Sequence, residues 1–174
     1  MRIISGKFKS IKITPPKIKS VRPTTDRAKE GLFNIIENKF YFHGKTALDL
    51  FCGYGNIGLE FSSRGIDHIT FVDHNPNCVN FIKKISEELN INSTTIYSES
   101  LNFLVNCKQK YDFIFADPPY RFNNHQKIYN IIKENNILTS EGILIIEHDQ
   151  KTFFSNKNYE QRKYGNVYFS IFNL

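Results

Sequence analysis

The chain has 174 residues, of which 40% are hydrophobic and 23% charged, and its net charge at pH 7 is +6. A chain of this length buries roughly 70% of the surface that its unfolded form exposes, and its ordinary composition excludes wholesale disorder. The cysteines, Cys52, Cys78 and Cys107, form no CxxC pair, so we expect neither a metal site nor disulfides. No apolar run approaches the roughly 20 residues of a membrane span, and the start lacks a signal-peptide hydrophobic region. We expect a cytoplasmic protein without a membrane partner.

The first part of the chain is basic. Its lysines alternate with apolar positions: Lys7, Lys9, Lys12, Lys17 and Lys19. We expect residues 1–22 to form a basic N-terminal hairpin extension in which Ile3-Ile4 and then Ile11 and Ile13 are the apolar positions and the chain turns near Ser5-Gly6. Residues 23–174 are expected to form a single domain.

The first predicted helix opens at Pro23-Thr24-Thr25. Its apolar residues recur at helical spacing and are expected to face the core: Ala28, Leu32, Phe33 and Ile36. Its charged residues are expected to face away from the core: Arg27, Lys29 and Glu30.

From Thr46 onward, short apolar runs alternate with amphipathic segments. The runs are residues 47–51, 69–73, 94–97, 113–116 and 143–146. Their continuous hydrophobicity is typical of parallel strands that are covered on both faces. Asn75-Pro76 predicts an N-cap and a proline at the first helical position, and residues 159–164 and 167–172 predict a closing strand pair. This order predicts a doubly wound, mostly parallel α/β sheet.

A glycine-rich loop follows the first of these strands. Residues 52–58 read CGYGNIG and satisfy GxGxxG, a spacing that allows a tight turn and close approach of the backbone to a ligand. Asp73 closes the second strand about 20 residues later, where a carboxylate can accept both hydroxyls of a ribose. The alternative for Asp73 is a cap on the next helix. Together these features predict a nucleoside cofactor.

Two acidic residues bear on which cofactor this is. NAD(P) and S-adenosylmethionine both bind at the ends of such strands. Asp49 lies inside an apolar strand, where a carboxylate is costly unless it has a partner; it can receive the N–H groups of the loop or a water held by the cofactor's ammonium group, which favours S-adenosylmethionine. A purely structural anchor for the glycine turn is the alternative. Glu99, just after the third strand, is placed to reach the adenine amine.

The fourth strand ends in Asp117-Pro118-Pro119-Tyr120. Two prolines hold the backbone extended and remove two N–H donors, which leaves a carboxylate and bare carbonyl groups beside an aromatic ring. Acceptors without donors suit an exocyclic NH₂ group, which brings two hydrogens, and Tyr120 is expected to stack on a base pulled out of its helix. A simple proline turn that closes the strand is the alternative. The motif predicts methylation of an amine.

The residues of these two motifs, FCGYGNIGLE and DPPY, together resemble class I amino-methyltransferases. The opening MRIISG and residues 22–35, RPTTDRAKEGLFNI, are similar to the bacterial RsmD family, which methylates a guanine N2 in small-subunit ribosomal RNA. The resemblance implies a seven-stranded Rossmann-like sheet, S-adenosylmethionine as cofactor, and 16S rRNA within an assembling 30S subunit as substrate. A monomer is expected.

The site residues follow from the motifs and the resemblance together. The expected catalytic residues are Asp117, Pro118, Pro119 and Tyr120. The expected cofactor-binding residues are Asp49, Phe51, Gly53, Gly55, Asn56, Gly58, Asp73, Glu99 and Ser100. The expected RNA-binding residues are Lys7, Lys9, Lys12, Arg22 and Arg27.

The chain departs from the family pattern at several positions. Asp73 stands where the family usually has Glu, and Glu99 where it usually has Asp, so the charge is kept and the reach changes by one methylene. Ser10 falls where a glycine is usual, and Lys29 replaces a common arginine and loses its bidentate fork. Cys52 and Tyr54 replace smaller loop residues.

Three other functions remain open from the sequence. The first is methylation of a different amine, either adenine N6 in DNA or RNA or a glutamine amide in a protein; the basic extension favours nucleic acid over protein. The second is an NAD(P)-dependent oxidoreductase, in which the DPPY segment would have no role. The third is a catalytically silent RNA-binding module.

Overall fold

The structure is a computed structural model that describes residues 1–16, 24–119, 121–156 and 158–174. Its helices within those residues are α1 (Asp26–Glu37), α2 (Asn56–Ser63), α3 (Pro76–Glu88), α4 (Ser100–Asn106) and α5 (His125–Glu134). Its strands are β1 (Thr46–Leu50), β2 (His68–Asp73), β3 (Ser93–Tyr97), β4 (Tyr111–Ala116), β5 (Leu138–His148), β6 (Glu160–Tyr164) and β7 (Val167–Asn173).

All seven strands form one sheet in the order β3-β2-β1-β4-β5-β7-β6. Strands β1 to β5 pair in parallel, and β7 pairs antiparallel with both β5 and β6. The predicted α/β class, the mostly parallel sheet and its seven strands are confirmed. The fifth strand is longer than residues 143–146, because it starts at Leu138 and continues to His148.

The core lies on both faces of the sheet. Successive residues of β1 show this directly, since Ala47 belongs to the hydrophobic cluster on one face and Leu48 to the cluster on the other. Phe113 and Ile114 of β4 divide in the same way. This two-sided burial explains why the strands read as continuous apolar runs. Among the described residues, no helix is both long and apolar enough to cross a membrane.

Helix α3 begins as the sequence predicts. The Asn75 side chain caps the helix by accepting a hydrogen bond of 2.9 Å from the N–H of Asn77, and Pro76 occupies the first turn. In α1, Thr25 is the cap, and the predicted apolar stripe is buried. Pro23 lies outside the described residues.

The expectation for Lys29 is wrong, because its side chain is buried rather than turned away from the core. Its ammonium donates to the Arg2 carbonyl at 2.7 Å and lies 3.3 Å from a carboxylate oxygen of Glu60. Glu60 also accepts from Arg64 at 2.8 Å, and Arg64 pairs with Glu37. We call Lys29, Glu37, Glu60 and Arg64 the α1–α2 ion network. It joins the two helices, and its two positive and two negative charges cancel.

The N-terminal segment folds back along α2. Arg2 and Lys12 form a single antiparallel bridge, so the strand pairing is shorter than the predicted hairpin. The chain reverses over residues 5–10, a wider turn than Ser5-Gly6 alone, and both Gly6 and Ser10 have left-handed φ angles, of 81° and 69°. The φ angle of Ser10 explains why glycine is usual at that position. The backbone N–H of Phe8 bonds to the Ser63 hydroxyl at the end of α2.

Candidate active site

A cleft of about 1080 Å³ lies at the carboxyl ends of the parallel strands. Sheet order reverses between β1 and β4, and the ends of strands on either side of such a reversal splay apart and leave room for a ligand. The cleft is lined by residues that follow β1, β2, β4 and β5 and by the start of α1. The predicted glycine loop and the Asp-Pro-Pro segment therefore meet at one place.

The glycine loop makes its turn through left-handed backbone. Phe51 leaves β1 with a φ of 55°, and Gly53 and Gly55 have φ angles of 52° and 73°. Gly58 is needed for another reason, since a Cβ there would lie 2.2 Å from the Phe71 ring and 2.9 Å from the Asp49 carboxylate. The loop thus places the first turn of α2 directly over the sheet.

Two buried carboxylates fix this loop. Asp49 accepts from the N–H of Gly58 at 2.8 Å, and Asp73 accepts from the N–H of Gly53 at 2.8 Å. The second oxygen of Asp73 accepts from Asn75, while Asn75 itself is the N-cap of α3. Burial, together with the charge of Asp73, raises the pKa of Asp49 to about 7. Both carboxylates line the cleft.

Asp117 follows β4 and lines the cleft. Burial, reinforced by the nearby Glu147 and Asp49 carboxylates, raises the pKa of Asp117 well above its usual range. Pro118 is buried and Pro119 is exposed, and both line the cleft with Asp117. Tyr120 lies outside the described residues.

Glu147 is a site residue that the sequence reasoning missed. It comes near the end of β5, lines the cleft and is 9% exposed. Its Oε2 atom accepts a hydrogen bond of 2.9 Å from the Thr24 hydroxyl of the helix-opening segment. Burial raises the pKa of Glu147 to about 7. The signal was present in the sequence, because Glu147 ends the apolar run 143–146 as Asp73 ends the run of β2.

We call Asp49, Asp73, Asp117 and Glu147 the cleft carboxylates. Among the described residues, none of the four forms an ion pair with a lysine or arginine; the nearest is His74, whose ring nitrogen lies 3.7 Å from Asp73. Four acidic groups without a paired cation make the cleft a site for a positively charged or hydrogen-donating ligand.

The other predicted cofactor residues occupy different positions. Phe51 lines the cleft, and its ring packs edge-on against Phe122 at 5.4 Å between centroids. Asn56 also lines the cleft, but its side-chain amide already donates to the Thr24 carbonyl and accepts from Lys29, so its backbone is the part available to a ligand. Glu99 and Ser100 lie beyond β3 and outside the cleft lining.

The predicted RNA-binding residues divide into two groups by position. Arg27 is exposed and lines the cleft. Lys7, Lys9 and Lys12 are exposed on the N-terminal segment, and the N–H of Lys7 bonds to the Ser63 carbonyl at the far end of α2. An eight-residue helix is about 12 Å long, so Lys7 lies about that far from the glycine loop. Arg22 lies outside the described residues.

The chain is similar to known proteins over nearly its whole length. The model of a protein family described as "Conserved hypothetical protein 95", the RsmD family, matches residues 1–173. The chain belongs to the RsmD family. The expected family resemblance is thereby confirmed, and the match extends beyond the quoted motifs to β6 and β7.

Individual members and neighbours agree with this family membership. Ribosomal RNA small subunit methyltransferase D of Haemophilus influenzae is 32% identical over 155 residues, which are 86% of this chain and 79% of that protein. The solved structure of the Escherichia coli protein YhhF superposes with a TM-score of 0.86 at 26% identity and covers 98% of this chain and 96% of its own.

A more distant solved structure extends the fold comparison. The 16S rRNA N2 G1207 methyltransferase of T. thermophilus, solved with AdoMet and guanosine, has a TM-score of 0.69 at 17% identity and covers 90% of this chain and 45% of its own. This likeness concerns the fold alone. The RsmD-family chain has the fold of class I S-adenosylmethionine-dependent methyltransferases.

Proposed function

We propose that this RsmD-family chain transfers a methyl group from S-adenosylmethionine to the exocyclic N2 of a guanine in 16S ribosomal RNA. The observation that carries the proposal is the meeting of the glycine loop, Asp73 and the Asp-Pro-Pro segment in one cleft. The names of its relatives support rRNA as the substrate. An assembling 30S subunit in the cytoplasm is the proposed setting, and a monomer is the proposed form.

The residues of the cleft fit this cofactor. Asp73 stands at the end of β2, where its oxygens have lone pairs left for ribose hydroxyls after accepting from Gly53 and Asn75. The glycine loop brings its backbone close to the cleft, which Gly53 and its neighbours Cys52 and Tyr54 line. At about 1080 Å³ the cleft exceeds the ordinary range for a single small ligand, so a target base has room beside the cofactor. When bound, S-adenosylmethionine supplies an electrophilic methyl group on a sulfonium cation.

Asp117 and the backbone after it act on the amine. The Asp117 carboxylate accepts one N–H of the target NH₂, and the Pro118 carbonyl accepts the other, because proline leaves acceptors there without competing donors. These contacts disperse the positive charge that develops on nitrogen as it gains the methyl group. The nitrogen then loses a proton, and the raised pKa of Asp117 suits it to accept that proton.

RNA contacts are proposed in two places. Arg27 at the cleft binds a phosphate close to the target nucleotide, whereas Lys7, Lys9 and Lys12 bind phosphates farther along the RNA. We retain residues 1–22 as the basic extension and residues 23–174 as the catalytic domain. A large folded RNA, rather than a single nucleotide, satisfies both sets of contacts.

Replacing Lys7, Lys9 and Lys12 together by alanine tests the distant contacts. We expect weaker binding to 16S rRNA and a shallower dependence on salt, by about one phosphate for each lysine, because fewer counterions are released. The affinity for S-adenosylmethionine should not change. Binding titrations at several salt concentrations measure both, and an unaltered salt slope would make these lysines an ordinary solvated surface.

Nucleoside analysis of ribosomal RNA tests the function itself. RNA from a strain that lacks the gene should lose one N2-methylguanosine, which a plasmid copy of the wild-type gene restores and an Asp117→Ala copy does not. Purified protein should transfer labelled methyl groups to 30S particles from the deletion strain. Recovery of the label as N6-methyladenosine, or of no label at all, would contradict the proposal.

A further inference from the structure

Glu147 and Asp117 lie side by side at the cleft. Ala116, the last residue of β4, pairs in register with Ile146 of β5, and the residues that come next along the chain are Asp117 and Glu147. Residues in register on neighbouring parallel strands point to the same side of the sheet, and both of these line the cleft. In the proposed function the target amine donates a hydrogen bond to Asp117, and a second carboxylate, that of Glu147, therefore lies beside it.

One oxygen of Glu147 is already used and the other is not. Oε2 accepts from the Thr24 hydroxyl at 2.9 Å, which holds the carboxylate in place. Among the described residues, Oε1 has no hydrogen-bond partner, although the side chain is only 9% exposed. Because Glu147 lines the cleft, Oε1 is the oxygen that remains available to a hydrogen-bond donor of a ligand.

We propose that Glu147 accepts the N1–H of the target guanine and thereby selects guanine over adenine. This inference rests on the proposed function and deepens it by naming the residue that reads the base. Glu147 is a specificity-determining residue, and Thr24 is a positioning residue that acts through it.

The hydrogen-bonding edge of guanine supports this assignment. N1–H and the N2 amine lie next to each other and present three hydrogens in a row. Asp117, Pro118 and Glu147 all line the cleft, and in the proposed mode of binding the Asp117 carboxylate, the Pro118 carbonyl and Glu147 Oε1 accept one hydrogen each. Adenine has a lone pair at N1 instead of a hydrogen, so its N1 would face the Glu147 oxygen without a proton between them. A site built to accept a hydrogen rejects an analogue that lacks it.

The base analogue 2,6-diaminopurine separates this role from a general role in catalysis. It keeps the N2 amine that receives the methyl group, but its N1 is an acceptor. The substrates are two 16S rRNAs, assembled into 30S particles, that carry either guanine or 2,6-diaminopurine at the methylated position. Comparing kcat/KM for the two on the same enzyme preparation makes the ratio independent of the fraction of folded protein.

We expect wild-type protein to prefer guanine by about 10-fold or more, the scale of discrimination of paired hydrogen bonds to a base edge. Glu147→Gln should lower this preference by about 10-fold, because the amide oxygen can still accept from Thr24 while the NH₂ group donates to N1 of the analogue. Thr24→Val should lower it in the same direction. The control is Glu141→Gln, an exposed position on the same strand, which should leave the ratio unchanged. The assays run at pH 8.5, above the raised pKa of Glu147.

The outcomes distinguish this inference from the proposed function. If wild-type protein methylates guanine N2 and Glu147→Gln reduces both rates equally, Glu147 does not read N1 and the inference is overturned, while the proposed function stands. If wild-type protein shows no transfer to guanine N2, both fail. A change of preference toward 2,6-diaminopurine in Glu147→Gln supports the inference even if that variant is less stable.

Discussion

The α1–α2 ion network and the cleft carboxylates both contain charged side chains removed from water, but among the described residues only the network contains its own counter-ions. Lys29 and Glu60 are 1% and 0% exposed and lie 3.3 Å apart, with Arg64 and Glu37 completing a neutral group. Within the part of the chain that the structure describes, the cleft carboxylates are paired only with backbone N–H groups, a hydroxyl and one distant imidazole. Among the described residues, the charges of the network therefore neutralise one another, whereas the charges of the cleft carboxylates have no lysine or arginine partner.

This difference separates structural from functional burial of charge. A buried ion pair with complete hydrogen bonding needs no ligand, and breaking it costs stability. Acids held close together without cations destabilise the fold, and burial raises the pKa values of Asp49, Asp117 and Glu147. We infer that the missing positive charge and hydrogen donors come from the ligands, namely the sulfonium cation and the amine of the base. Variants of the network and of the cleft carboxylates test this difference.

The largest expected effect is on the network. Glu60→Ala leaves Lys29 buried without its carboxylate and removes the acceptor of the Ile4 and Ser5 N–H groups, so we expect a loss of about 3–5 kcal/mol in the free energy of unfolding. Urea denaturation measures it. Glu88→Ala, which removes an exposed partner of Lys84, is the control and should change stability by less than about 0.5 kcal/mol. Equal effects of the two variants would contradict the structural role.

Asp117→Ala removes one of the cleft carboxylates and should affect catalysis rather than folding. We expect methyl transfer to fall by at least about 100-fold, the scale of losing one electrostatic contact to the transition state, with stability unchanged or raised because one of several neighbouring acids is removed. Single-turnover transfer to 30S particles measures the first and thermal unfolding the second. Asp117→Asn should keep partial activity, since its carbonyl accepts one hydrogen while its NH₂ opposes the other. A near-normal rate for Asp117→Ala would end this mechanism.

Asp73→Ala should weaken binding of S-adenosylmethionine by about 1.5–3 kcal/mol, the usual cost of losing a charged acceptor. Because Asp73 also holds the N–H of Gly53, part of this loss passes through the shape of the loop. Asp73→Glu is the matched control: it restores the residue usual in the family and should keep most of the affinity. Calorimetric titration measures both. Unchanged affinity in Asp73→Ala would leave Asp73 a structural role only.

The smallest effect concerns pH. The pKa of Asp49 is raised to about 7 in the folded protein, so the folded state binds its proton more tightly than the unfolded state does, and ionising Asp49 costs stability as pH rises from about 4 to about 7. Asp49→Asn removes that cost and keeps an acceptor for Gly58. We expect it to stabilise the protein by at least about 1 kcal/mol at pH 8 and by nothing measurable at pH 4. Thermal unfolding at both pH values checks this, and a constant difference would contradict the assignment.

The sequence predicted most of the fold because its local signals agree with the tertiary structure. The apolar runs of β1 and β4 read as parallel strands since neighbouring residues face opposite clusters of the core. Asn75-Pro76 predicts a helix start because capping depends on adjacent residues alone. The same kind of short-range pattern predicts the glycine loop, Asp73 and Asp117, each at the end of a strand or directly after one.

Only the tertiary structure decided which of these residues meet and which charges are satisfied. Lys29 reads as a surface residue from its position on α1, but its burial depends on Glu60, 31 positions later, and on the Arg2 carbonyl. Glu147 becomes a site residue because β5 lies beside β4 and because Thr24, 123 positions away in sequence, donates to it. Spacing along the chain records local backbone preferences, whereas the partner of a buried charge is set by strand order and packing, which bring distant residues within hydrogen-bonding distance.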